Sequence, residues 1–442
     1  MPYDQNLSMD QLVQSDRVHK ACYADDDIFE QELENIFYKS WIYMGHESQV
    51  PNPGDYWTTW IGKQRMILSR GDDGQVHVLY NRCPHRGALL CNAQHGNAGK
   101  AFRCPYHAWQ FHMDGSVRQI PMKQGYDGTA DVLQDAEFAM KKAERYDTYR
   151  GFVFASLSED GPDLLTWLGQ GAKAAFDDIC NRSPEGEVEV VPNCFRIIQK
   201  SNWKIFLENQ LDALHPSITH HSTGDAAAEM QKVYKERTGE DAPMGYQMLA
   251  DFTLPFEKWD SISTYGYEYG HTVLGGYMGL RPRDPVTLDH EAGLAEAYGA
   301  ERMEEILSTN VHHVLVYPCL SVQPPLQQLR AVRPLAADKT MTEIWHFRLK
   351  GAPEGIYERS LAYYYHVNSP STMVNADDLQ NFYSCHEGLR QAGGGDWVSF
   401  HRNAGQDRVE DGVATSNIGF SELPMRNQFE AWRDYMAAED GA

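Results

Sequence analysis

Two periodicities alternate along the chain. Over residues 24–43 (ADDDIFEQELENIFYKSWIY) apolar positions recur at helical spacing, with Ile28, Leu33, Ile36 and Phe37 near one face, which predicts a helix. From Gly54 to Phe154 the spacing changes to short β-rich runs (YWTTW, RMILSR, VHVLY, FVFAS) separated by turn signals. Asp73-Gly74 and Asp114-Gly115 sit between such runs and predict hairpin turns. After Asp160 the pattern is mixed. EVEVVPNCFRIIQK, VHHVLVYP, LQQLRAVRPL and TEIWHFRL predict strands, the last two a hairpin pair. SNWKIFLENQLDALH, PEGIYERSLAYYYH and ADDLQNFYSCHEGLRQ predict helices. Gly224 to Ser308 shows the least regular pattern and is expected to hold loops or a lid. The expected organisation is an N-terminal helical segment (1–40) packing on the C-terminal domain, a small antiparallel β domain (41–158) and a larger α+β domain (159–442).

Composition narrows the function. The 442 residues are long enough for two or three domains, and 42% apolar with 23% charged residues is ordinary for a globular protein. The formal net charge of −23 argues against a nucleic-acid binder, which would carry a basic footprint. Neither a run of about 18 apolar residues nor a secretory pattern is seen, so a cytoplasmic protein without membrane contact is expected. Eight cysteines spread over such a chain suggest reduced thiols or metal ligands rather than a disulfide framework. GNAGKA at 96–101 has its glycines too close together for a phosphate loop, and no G-x-G-x-x-G follows a strand. The chain is therefore not expected to bind NADH or flavin itself.

Chemistry concentrates in two places. Residues 83–87 read CPHRG and residues 104–109 read CPYHAW, so each segment offers one thiolate and one imidazole: Cys83, His85, Cys104 and His107. Two sulfur and two nitrogen ligands could hold tetrahedral zinc or a [2Fe–2S] cluster in which two histidines replace two cysteines on one iron. Pro84 and Pro105 stiffen both segments, and Gly87 permits a tight bend. A zinc ribbon would more typically use Cys-x-x-Cys pairs. The wording of the two halves resembles the cluster signature of Rieske proteins, and more specifically the α subunits of Rieske non-haem iron aromatic-ring-hydroxylating oxygenases. The resemblance implies that Arg86 and Trp109 pack around the cluster without ligating it.

The second place is NWKIFLENQLDALHPSITHH. Trp203, Phe206, Leu207, Gln210, Leu211 and Leu214 follow i, i+3, i+4 spacing, which predicts a helix with one buried face. Asp212 and His215 would share a face, and Pro216 is expected to break or kink the helix at His215. On a straight helix His215 and His220 would diverge by about 140°; a kink could bring both imidazoles to one ion. Two histidines and a distant carboxylate would form the facial triad of non-haem Fe(II) oxygenases. A pair of histidines near a helix end is as often structural, and the cluster motif upstream is what favours metal. The spacing Glu208-Asn209-x-x-Asp212-x-x-His215-x₄-His220 resembles the mononuclear-iron segment of the same family. The resemblance implies that His215 and His220 bind iron, and that Asp212 bridges His215 to His107 of a neighbouring copy. His221 and Glu208 are not expected to be ligands.

With 62 acidic residues, composition cannot choose the third ligand. VNADDLQNF resembles the family's DDxxN segment, which selects Asp378, with Asp377 as the alternative. The acidic residue often found shortly before that pair is absent here, where Asn375 and Ala376 stand. Asp377 could instead cap a helix N-terminus. His112, His221, His312, His313 and His401 belong to no ligand motif and are expected to be structural.

The resemblance implies an oxygenase with one [2Fe–2S] Rieske cluster and one mononuclear Fe(II) per chain. It implies a helix-grip catalytic domain, START/Bet v 1-like, whose curved antiparallel sheet encloses a mostly apolar pocket. The expected reaction is cis-dihydroxylation or monohydroxylation of an aromatic ring with O₂. Electrons would come from NAD(P)H through a flavin reductase, with or without a ferredoxin. A homotrimer of α, paired with a small β subunit as α3β3, is expected. Arg281, Arg283, Arg330 and Arg333 could anchor a carboxylate-bearing substrate. The rival readings are N- or O-demethylation by a Rieske monooxygenase, a Rieske electron carrier, and a zinc hydrolase using His215 and His220.

Overall fold

The computed structural model describes residues 8–126, 136–279 and 281–437. They divide into two units, Ile36–Thr166 and Met1–Asn35 with Trp167–Ala442.

The smaller unit is built from short antiparallel strands. Asp55–Ile61, Gln64–Arg70 and Val76–Tyr80 form a meander that His95–Asn97 extends on the far side. The Asp73-Gly74 and Asp114-Gly115 turns lie where the pattern predicts them, Gly74 and Gly115 both at positive φ. Phe102–Arg103, Gln110–Phe111 and Val117–Gln119 make a second small sheet, and Arg145–Tyr149, Phe152–Ser156 and Ile42–His46 a third. Side chains of the first two sheets, among them Ile67, Leu79, Phe102 and Phe111, bury one apolar core that also holds Met113, Cys83, Cys104 and Trp109. The helix predicted for 24–43 is shorter than its apolar spacing suggests. Asp25 caps it by accepting from the amides of Asp27 and Ile28, the α-helix covers Asp26–Glu32, and a π turn at Leu33–Phe37 ends it before the strand Ile42–His46.

The larger unit carries a ten-stranded antiparallel sheet. Its longest pairing joins Gln328–Ala336 to Lys339–Leu349, the predicted hairpin. EVEVVPNCFRIIQK forms two strands, Val188–Val190 and Phe195–Gln199, lying end to end along Lys339–Leu349. Pro192 between them has no N–H to give the ladder. The interval Gly224–Ser308 is not a loop region. It supplies the paired strands Ile262–Gly266 and Thr272–Gly276 and the helices Met244–Ala250, Pro285–Tyr298 and Ala300–Leu307. Short strands rich in Gly, Ser and Thr carry little apolar alternation, which hid them. Among the described residues no helix is long and apolar enough to cross a membrane.

Three helices converge on one buried carboxylate in this unit. Glu32 accepts hydrogen bonds from the indoles of Trp203 and Trp432, each at 2.7 Å, and pairs with the ammonium of Lys204. All four side chains are sealed from solvent. The N-terminal helix, the helix Trp203–Gln210 and the C-terminal helix Leu423–Ala437 are thereby tied at a single point.

Candidate metal centres

CPHRG and CPYHAW fold into matched loops. In the first, the Cys83 amide donates to the Ala88 carbonyl and the Gly87 amide to the Cys83 carbonyl, both at 2.8 Å. In the second, the Cys104 amide donates to Trp109 at 2.8 Å and the Ala108 amide to Cys104 at 3.1 Å. The fifth residue of each loop is left-handed, Gly87 at φ 74° and Ala108 at φ 57°. Only glycine adopts this conformation without strain, so Ala108 carries a local penalty. Asn81, which belongs to no recognised motif, is buried and ties down the chain that follows the first loop. Its amide oxygen accepts from Leu90 and Cys91 and its nitrogen donates to the Cys91 carbonyl at 2.7 Å.

The candidate ligands pair across the two loops, thiol with thiol and imidazole with imidazole. Cys83 and Cys104 are buried free thiols close enough to share a hydrogen bond. Burial pushes the Cys83 thiol up to about 11, while the backbone amides of His85 and Arg86, aimed at its sulfur, pull the other way. His85 and His107 stand edge to face with ring centroids 4.5 Å apart. Trp109 stacks flat on His85 at 4.7 Å, and Arg86 is exposed. Nδ1 of His85 is buried with no hydrogen-bond partner. Two thiols, two imidazoles and an orphaned ring nitrogen fit a [2Fe–2S] cluster with mixed ligands.

In the second centre the helix break comes earlier than the proline suggests. The helix Trp203–Gln210 ends at Leu211, and Pro216 lies in the first turn of a new helix, His215–Thr219. Proline is at home there because its missing N–H is one that no helix uses. A turn closed by the Leu214 amide donating to Asp212 Oδ1, 2.9 Å, separates the two helices. After His220 the chain enters another helix, His221–Thr238. Two short helical segments in sequence, rather than one bent helix, aim both imidazoles inward.

His215, His220 and Asp378 each offer a ligand atom, all within 4.8 Å of one another. Asp378 Oδ1 lies 3.7 Å from His215 Nε2 and 3.2 Å from His220 Nε2. The far side of each ring faces a carboxylate: Asp212 Oδ2 at 3.7 Å from His215 Nδ1, and Asp377 Oδ2 at 3.6 Å from His220 Nδ1. Both Nδ1 atoms are buried without a hydrogen bond. The adjacent acids of the helix Met373–Leu389 thus reach opposite sides of His220. Burial raises the Asp212 carboxyl, but the His215 ring, the Leu214 amide and Arg402 outweigh it and hold the group below its ordinary value. Two imidazoles and one carboxylate converging in this way fit a facial-triad Fe(II) site.

Other histidines and acids of this segment do different work. Glu208 accepts from the Tyr23 hydroxyl at 2.8 Å, and burial pushes it up to about 8 against that bond and Lys204. His221 is exposed beside Asp225, and His312 bonds Asp178 at 2.7 Å. Asn209 is closer to the centre than its type alone suggests: Nδ2 is 3.0 Å from His215 Nε2 and 3.5 Å from Asp378 Oδ1. Phe252 packs its ring on His220. Its signal was invisible, since it lies in the interval expected to be irregular. The sheet also buries polar side chains near the centre, Gln323, Gln328, Arg330 and His346.

Comparisons with known proteins follow the same division. The Rieske [2Fe-2S] domain family matches residues 40–134, and the ring hydroxylating alpha subunit (catalytic domain) family matches residues 185–438. The chain is 32% identical to the toluate 1,2-dioxygenase subunit alpha of Pseudomonas putida, over 88% of this chain and 83% of that one. It is 31% identical to the anthranilate 1,2-dioxygenase large subunit of Acinetobacter baylyi, over 85% and 78%. In fold it is similar to naphthalene 1,2-dioxygenase with indole bound, at TM-score 0.80 and 24% identity, covering 97% of this chain and 94% of that one. A quaternary ammonium Rieske monooxygenase shares the fold at TM-score 0.69 and 20% identity, covering 97% and 98%. With a Rieske domain, a His-His-Asp candidate iron site and a matching catalytic domain, this chain belongs to the α subunits of the Rieske aromatic ring-hydroxylating dioxygenases.

Proposed function

We propose that this chain is the terminal oxygenase component that hydroxylates the ring of an aromatic substrate with O₂, by cis-dihydroxylation or monohydroxylation. The observation that carries the reading is the convergence of His215, His220 and Asp378 in a chain that also folds matched Cys-His loops. Cys83, His85, Cys104 and His107 would hold the cluster, and His215, His220 and Asp378 the mononuclear iron. When bound, the two centres supply electrons and O₂ activation. The protein's own part is positioning. Asp212 and Asp377 fix the two imidazoles from behind, so that each presents Nε2 to the centre. Asn209 Nδ2 reaches Asp378 Oδ1 and lies beside His215 Nε2, whose single lone pair would go to the metal. Asp212 further serves as the link between His215 and His107 of a neighbouring copy, in a trimer of α. An electron-donor protein and a small subunit complete the system, in keeping with relatives named as large or alpha subunits. Those relatives are named for toluate and anthranilate, and another, 29% identical, for benzene, so the names leave open whether the substrate is an aromatic acid or a hydrocarbon.

Metal analysis with electron paramagnetic resonance of the dithionite-reduced protein tests this reading. About three irons per chain and a Rieske-type signal are expected, two irons in the cluster and one in the triad. Zinc without labile sulfide overturns it.

A further inference from the structure

Four arginines were candidates for a substrate anchor, and the structure separates them. Arg281 pairs with Glu291 and Glu304, both at 2.7 Å, and Arg283 lies 3.5 Å from Glu291. Arg333 pairs with Glu343 at 3.1 Å, an acid it shares with Arg196. Arg330 differs. It is 6% exposed, and among the described residues it forms no salt bridge. Its partners are three neutral amide oxygens: Gln210 at 2.6 Å, Gln328 at 2.8 Å and Gln323 at 3.2 Å. A buried guanidinium held only by neutral groups is costly, because amide dipoles replace water but supply no opposite charge.

The charge lies beside the candidate iron centre. Gln210, which accepts from Arg330, donates to Asn209 at 3.1 Å, and Asn209 reaches His215 and Asp378. Asp378 and the phenols of Tyr363 and Tyr364 act on Arg330 electrostatically. Arg330, Asp378 and Asp251 all act electrostatically on the buried Tyr363 phenol. His313 and His346, also near Arg330, are held neutral, burial lowering both to about 4. Asp378 is the carboxylate that acts on the guanidinium, and as a metal ligand its charge is already committed to the ion. Of five guanidinium N–H groups three are engaged, which leaves one hydrogen on each terminal nitrogen.

We propose that Arg330 is a specificity-determining residue that anchors a carboxylate on the aromatic substrate. The inference rests on the oxygenase reading and deepens it. The substrate is an aromatic acid whose ring is held beside the His215, His220 and Asp378 centre, and whose carboxylate supplies the counter-charge that the protein withholds. Glutamine carbonyls on three sides keep the fork oriented without neutralising it, so an uncharged ring gains nothing from it.

Calorimetric titration of the anaerobic holoenzyme with benzoate and with benzamide, and likewise with 2-naphthoate and its amide, tests this. In the wild type the acid of at least one pair is expected to bind about tenfold tighter or more than its amide, the range of a charge-assisted hydrogen bond. R330Q removes that preference while amide binding stays within about threefold, which also shows that the variant is folded. R330K keeps the charge but not the fork and retains part of the preference. Equal binding of acid and amide in both wild-type pairs, or an undiminished preference in R330Q, overturns the proposal. Iron content of the same samples separates the two readings. An iron-loaded enzyme without acid preference refutes the role of Arg330 alone. Acid preference in a chain that never holds iron refutes the oxygenase reading alone.

Discussion

Glu32→Gln perturbs the point where three helices meet. The native carboxylate divides its two oxygens among three donors: Oε1 accepts from Trp432 and Lys204, and Oε2 from Trp203. A glutamine retains one acceptor oxygen and turns the other position into a donor that faces a donor. At least one indole N–H is then left unsatisfied, at about 1–3 kcal/mol. Lys204, whose side chain is fully buried, also loses its only acidic salt-bridge partner among the described residues. Breaking a buried pair by removing one member costs about 3–5 kcal/mol, because the remaining charge stays uncompensated. The two terms overlap, so E32Q is expected to lower the unfolding free energy of the larger unit by about 4–6 kcal/mol. Part of the loss should return in E32Q/K204M, although K204M also gives up the contact of the ammonium with the Trp203 ring at 4.6 Å. The assay is urea denaturation followed by tryptophan fluorescence, to which Trp203 and Trp432 both report. Since the helix Trp203–Gln210 leads directly into the candidate ligands, E32Q should also lower retained iron. A loss under about 1 kcal/mol, or a Glu32–Lys204 coupling under about 0.5 kcal/mol in the double-mutant cycle, refutes the reasoning.

Four further outcomes follow from the structure. His271 is neutral in the fold, lowered to about 4 by burial, with Nε2 on the Trp167 carbonyl at 2.9 Å and Nδ1 accepting from the Tyr317 amide at 3.1 Å. The unfolded chain therefore binds the proton first, and about 3 kcal/mol of stability should be lost as pH falls from 6.5 towards 4; H271Q should show a flatter denaturation profile over that window, and an unchanged slope counts against the assignment. Gly87→Ala places a side chain at φ 74° with its nearest contact the Arg82 guanidine nitrogen at 3.5 Å, so the loss of about 1 kcal/mol is conformational, and Ala108→Gly should shift a thermal melt the opposite way. Asp378→Ala should abolish retention of the mononuclear iron, whereas Asp377→Ala should weaken it by about 10–100-fold, read as iron per chain after chelator dialysis; equal losses would make both acids ligands. Asp212→Ala, compared with the wild type at equal iron loading, should lose turnover coupled to the cluster, and normal turnover removes its bridging role.

Covalent spacing made much of this protein legible from its sequence. Cys83-x-His85 and Cys104-x-x-His107 define matched loops because ligand, proline and left-handed residue all lie within six positions. The same holds for strands with clear alternation, such as VHVLY, and for the long hairpin of the catalytic sheet. What lay beyond reach was decided by neighbours distant in the chain. Pro216 signals a break, but whether a proline ends one helix or opens another depends on where the preceding hydrogen bonds stop. The choice between Asp377 and Asp378 in facing the two Nε2 atoms is a matter of helix rotation, fixed by what the helix Met373–Leu389 packs on. The interval 224–308 hid two strands because their partners, not their own side chains, make them strands. The four arginines are equivalent in composition. Only the fold shows that three of them meet carboxylates while Arg330 is buried among amides, because electrostatic compensation is a property of three-dimensional surroundings and leaves no trace in local order.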